Sequence, residues 1–135
     1  MEISLTMSPN RGVDGAAAAG WVSTADAGWD VTIDGDDGIV RKFELNLSLV
    51  SRRGDLRLKN CVPSVCTTGL GAATVGGPGV WYSASGRADT PTHEMGHIFG
   101  FANNRAPGAG SIMSGDRPRA INQRDFDLLW DAYKR

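Results

Sequence analysis

Apolar and polar residues alternate most regularly where Phe43, Leu45, Leu47 and Leu49 are interleaved with Glu44, Asn46 and Ser48. A period of two belongs to a strand with one face against a core, so this stretch predicts a β-strand. A shorter alternation over residues 3–7 predicts a first strand, and β-prone residues 29–33 predict another. Leu56 and Leu58 mark one more strand after the Arg53-Gly54 turn, and Val80, Trp81 and Tyr82 lie in a short strand over residues 79–83. Residues 67–79, rich in glycine, read as a loop. The turn Asp34-Gly35-Asp36-Asp37-Gly38 reads as a hairpin, because its acidic spacing does not match an EF-hand calcium loop.

Three stretches carry helical signals. Asp14 is placed to cap a helix over the small residues 15–22, whose alanines would let it lie close against a sheet. Pro91 suits a first helical turn, with Thr90 as its cap and Gly100 as its terminator. Asn122 would cap a last helix that puts Phe126, Leu129, Trp130 and Tyr133 on one face. Strands and helices in this mixture predict a single α+β domain spanning residues 1–135.

Composition narrows the function classes. A formal net charge of −1 argues against a nucleic-acid partner bound through its phosphates. No apolar run approaches the roughly 18 residues of a membrane-spanning helix, so no membrane partner is expected. Residues 1–7 have neither a basic nor an apolar region of the signal-peptide kind. That leaves a domain exported as part of a larger chain, or a cytoplasmic protein. Cys61 and Cys66 flank Val-Pro-Ser-Val, a spacing that suits either a local disulfide or two ordinary thiols.

The segment His93-Glu94-Met95-Gly96-His97 carries the chemistry. Histidines four apart on a helix sit about 6 Å from each other on one face, where two imidazoles can converge on one cation. A glutamate after the first histidine stands beside that cation without binding it, placed to accept a proton from the attacking water. His93 and His97 are therefore candidate zinc ligands and Glu94 a candidate general base.

The longer run from His93 to Asn103 resembles the extended zinc-binding consensus of the metzincin metallopeptidases, in which the glycine, here Gly100, turns the chain to deliver a third ligand. Ser111-Ile112-Met113-Ser114 resembles that family's Met-turn, with Met113 as an apolar floor beneath the metal. The resemblance covers about the last third of the chain. It implies a small zincin-like domain, with a mixed twisted sheet, an antiparallel edge strand and a packing helix before the metal helix. It also implies a Zn2+-dependent endopeptidase acting on a protein or peptide substrate. The strand carrying Trp81 and Tyr82 would then be an edge strand that lines the cleft and binds substrate. The compact size and glycine-rich first half are in addition similar to metallopeptidase toxin domains at the C-termini of large bacterial polymorphic toxins, which implies a secreted effector and a dedicated inhibitor or immunity protein.

The sequence departs from the family pattern at two positions. Where a third histidine or an aspartate is usual, the chain has Asn103, a neutral and weaker donor; Asn104 and Asp116 are the alternatives. Where some members carry a tyrosine two residues after the Met-turn methionine, this chain has Gly115, so the oxyanion would be met by zinc and by backbone N–H groups near Trp81 and Tyr82. Asn103 also motivates a competing expectation, a catalytically weak or inactive zinc-binding module that recognises a protein partner. An intracellular housekeeping peptidase is a third.

Overall fold

A computed structural model describes all residues except Asp36 and residues 68–69, 105–109, 116–118 and 134–135; nothing is described of the Tyr133 side chain. The element order is β1 (Glu2–Pro9), α1 (Gly15–Gly28), β2 (Val31–Asp34), β3 (Val40–Leu49), β4 (Leu56–Asn60), β5 (Gly71–Ala73), β6 (Gly79–Tyr82), α2 (Thr90–Ile98) and α3 (Gln123–Tyr133). The domain is α+β, as the alternating and helical patterns predict.

The six strands form one mixed sheet in the order β2-β3-β1-β4-β6-β5. β1 pairs in parallel with both β3 and β4, β4 in parallel with β6, and the two edge strands β2 and β5 are antiparallel to their neighbours. On β3 the alternation works as expected for Phe43, Leu45 and Leu47, which are buried. Leu49 ends the strand and is exposed. Leu56 and Leu58 of β4 and Val80 of β6 continue the same apolar layer.

Helix α1 starts where expected, with the Asp14 carboxylate accepting from Ala17 N–H at 2.9 Å. It runs past residue 22 to Gly28, because Ala18, Trp21, Val22 and Ala25 fall three or four apart and bury one stripe in the core. Its last glycine is sterically required: a Cβ on Gly28 would lie 2.1 Å from Thr92 Oγ1 of α2. Trp29, expected in a strand, instead leaves the end of α1 and enters the core. Its Nε1–H donates to Thr92 O at 2.8 Å, and its ring meets Phe43 and Phe99 edge-on.

Two expectations about the second half are corrected. Residues 67–79 are not all loop, since β5 lies among them; Gly71, Ala72 and Ala73 have little intrinsic strand preference and are ordered by pairing with β6. The strand of Trp81 and Tyr82 is accordingly interior, between β4 and β5. Cys61 and Cys66 form a disulfide, and Cys61 N–H donates to Tyr82 O at 2.8 Å.

Candidate metal and catalytic site

Helix α2 carries His93, Glu94 and His97, all buried. The imidazole centroids are 4.8 Å apart with the ring planes nearly perpendicular, at 88°. Each Nδ1 lies 2.7 Å from a main-chain carbonyl, that of Ile112 for His93 and that of Phe101 for His97. A carbonyl only accepts, so both Nδ1 atoms carry the hydrogen, and Nε2 is the nitrogen each ring has left to offer a cation. This tautomer is the one a metal-binding imidazole needs, with the outer bond fixing the ring.

Local sequence explains both carbonyls. Gly100, at φ +99°, takes the left-handed conformation that closes α2. Phe101 N–H then donates to Gly96 O at 3.0 Å and Gly100 N–H to His97 O at 2.9 Å, the paired bonds of a glycine-terminated helix. The chain reverses, and Phe101 O comes to face the His97 ring one turn back.

The Ile112 carbonyl is positioned by a second device. Asp125 is almost fully buried and accepts from Ser111 Oγ–H, from Ile112 N–H at 3.0 Å and from Asn122 N–H at 3.1 Å. Asn122 answers by accepting from Asp125 N–H at 3.1 Å, so the start of α3 is also a reciprocal helix cap. The turn holding Met113 is thus pinned to α3. Met113 lies beneath α2, where a Cβ on Gly96 would be 2.2 Å from its Sδ.

Glu94 is the electrostatic anomaly. Its Oε2 is buried with no hydrogen-bond partner among the described residues, and burial pushes its carboxyl up to about 7. His93 is driven the other way, to about 4, chiefly because burial disfavours the cation, with the nearby Arg119 charge acting in the same sense. A neutral His93 imidazole beside an unsatisfied carboxyl is an environment that suits a cation or a polarised water.

The other candidates are more dispersed. Asn103 follows the Gly100 turn with an exposed side chain. Asn104, half-buried, donates its N–H to Met113 O at 2.8 Å and bridges to Ser114. Asp116 lies outside the described residues. Among the described residues no three His, Cys, Asp or Glu side chains gather as a ligand group. Gly115 is exposed.

The edge position expected for Trp81 and Tyr82 is corrected. Both backbones pair with a strand on each side, so they are not the free edge of the sheet. That edge is β5, which passes the carboxylate: a Cβ on Gly71 would be 3.7 Å from Glu94 Oε1. Adjacent strand residues face opposite sides. Trp81 lies under Lys59, whose Nζ is 4.9 Å from the ring centroid, whereas Tyr82 lines a cavity of about 290 Å³ with Trp21, Leu70, Arg87 and Thr90.

Three residues of the site, Asp89, Arg119 and Asp125, escape the sequence reading. Asp125 had a signal, since an acid three residues after Asn122 is capping-box spacing. The Asp89–Arg119 pair spans 30 positions and has none.

No protein-family model and no curated protein matches the chain.

Proposed function

We propose that the domain is a zinc-dependent endopeptidase of metzincin-like design. The observation that carries this reading is the coincidence, on one helix, of two imidazoles locked with Nε2 free and a buried carboxylate oxygen without a partner. These residues fit a divalent cation: two imidazoles lie side by side on one helix, and the outer nitrogen of each has an acceptor. His93 and His97 would hold the metal, with Asn103 as third ligand by resemblance. When bound, zinc supplies Lewis-acid polarisation of the scissile carbonyl and of water. Glu94 takes the proton from the attacking water and passes it to the leaving amine; a carboxyl near 7 can both accept and release it at neutral pH. The outer edge of β5, beside Glu94, offers backbone groups to an extended substrate. This replaces the role first expected of Trp81 and Tyr82.

The disulfide favours action in an oxidising compartment, in keeping with an exported effector and a dedicated inhibitor that covers the cleft. No described helix is long and apolar enough to cross a membrane. The exposed Asn103 favours a second reading, a zinc-binding module that recognises a partner without cleaving it.

Metal analysis together with cleavage of denatured protein mixtures separates the two. One zinc per chain with turnover that Glu94→Gln abolishes is the expected result. Bound zinc without cleavage supports the module, and Glu94→Gln cleaving at the wild-type rate overturns the assignment of the base.

A further inference from the structure

The Arg119 guanidinium, with its side chain only 6% exposed, reaches three parts of the site. Its Nε and Nη2 donate to the two Asp89 oxygens at 2.9 and 3.1 Å. Nη1 donates to Ser114 O at 2.8 Å and lies 3.1 Å from His93 Nδ1. Asp89 occupies the N-cap position of α2 yet makes no capping hydrogen bond, although aspartate there usually takes a free N–H of the first turn. Its carboxylate is turned to Arg119 instead.

A buried ion pair is a poor source of net stability, because desolvation offsets most of the attraction. Its effect here is geometric. One end holds the start of the metal helix, the other holds the last carbonyl of the Met113 turn, and the His93–Ile112 bond lies between. Nη1 and the Ile112 carbonyl both face Nδ1, but they make opposite demands on it. The acceptor-only carbonyl is closer, at 2.7 Å, and Nη1 already has an acceptor in Ser114 O, so Nδ1 keeps its hydrogen. The guanidinium then lies directly beside that bond.

We infer that Asp89 and Arg119 are positioning residues that hold His93 in a single ring orientation, Nδ1 to Ile112 O and Nε2 toward the metal position. His97 provides an internal control, since its Nδ1 is fixed by Phe101 O, outside this clamp. Only the consequence for metal binding rests on the metallopeptidase reading; the effect on the ring does not.

Long-range proton–nitrogen spectra of the metal-free, 15N-labelled protein at mildly alkaline pH report the imidazole tautomers. In the wild type both histidines are expected as single Nδ1–H tautomers. In the double variant Asp89→Leu/Arg119→Met, which replaces the pair by apolar side chains, His93 is expected to shift toward a tautomer average while His97 stays. An unchanged His93, or an equal change in both rings, overturns the clamp. If the double variant does not fold, Arg119→Lys keeps the charge but not the planar fork. A His93 shift in that variant supports the clamp, and wild-type spectra overturn it. A cobalt(II) titration adds the functional arm: affinity should fall about 10-fold or more in the clamp variants, with an altered visible spectrum. If the tautomer result holds but the wild type takes up neither cobalt nor zinc, only the metallopeptidase reading fails. Metal uptake with unchanged tautomers removes only the clamp.

Discussion

Gly96 and Met113 are in contact through the absence of a side chain: a Cβ on the glycine would stand 2.2 Å from the methionine Sδ and 3.5 Å from the Trp29 ring. The middle of α2 thus rests on the turn that follows it 17 positions later. Gly96→Ala should overpack this contact and cost about 1–3 kcal/mol, despite the better helix propensity of alanine. Met113→Ala would open a cavity of its own but make room for the new methyl. The double variant should therefore be more stable than the sum of the single effects implies, and denaturant titration of the four proteins measures that coupling. Strict additivity would mean that the contact does not carry the cost.

Asp125 accepts three hydrogen bonds in the interior, two of them from the Met113 turn. Asp125→Ala strands these donors, and a loss of at least about 3 kcal/mol is expected. Asp125→Asn retains an acceptor oxygen and should lose less. Because the turn sets the Ile112 carbonyl, both variants should also weaken cobalt binding, in the same order. Thermal unfolding and metal titration on the same samples check the ranking; an alanine variant as stable as wild type contradicts it.

The parts of this molecule that can be read from its sequence are those written in local periodicity. The β3 alternation, the Asp14 and Asn122 caps and the Gly100 terminator each depend on a few neighbouring residues, and each does what its chemistry predicts. The HExxH spacing belongs with them, since a helix alone aligns His93 and His97. Strand β5 was illegible because Gly71-Ala72-Ala73 becomes a strand only through its partner β6. β5 takes the sheet edge and leaves Trp81 and Tyr82 in the interior of the sheet. Trp29 looked β-prone because aromatic residues favour strands, whereas a hydrogen bond to Thr92, 63 positions away, determines where it goes. Arg119 was missed for the same reason: its partners lie in α2 and in the Met113 turn.

Opposite titrations on adjacent residues predict an unusual pH profile for the metal-free protein. Glu94 rises from an ordinary value of 4.5 to about 7, so its contribution is fully present below 4.5 and is lost as pH climbs to 7. His93 falls from 6.5 to about 4, so its contribution is present above 6.5 and is lost as pH drops to 4. Between about 4.5 and 6.5 the two slopes oppose each other, and their contributions should nearly cancel. Removing the acid with Glu94→Gln exposes the histidine limb: stability relative to wild type should gain with rising pH by up to about 3 kcal/mol. Chemical denaturation at a series of pH values, in the presence of chelator, measures this difference. A variant whose pH dependence parallels the wild type would show that Glu94 is not held protonated by its burial.

Gly100 links backbone conformation to the orientation of the His97 ring. At φ +99° an L side chain is strained, although open space surrounds the position, so Gly100→Ala isolates conformation from packing. A loss of about 1–2 kcal/mol is expected from backbone strain. The same strain loosens the closure that brings Phe101 O to 2.7 Å from His97 Nδ1. Metal affinity should consequently fall, with the change in His97 and not in His93, because the Ile112 carbonyl belongs to a separate turn. Imidazole tautomer spectra resolve the two rings. A Gly100→Ala protein that is destabilised while His97 keeps its Nδ1–H form would separate helix termination from ring positioning and remove the glycine from the site.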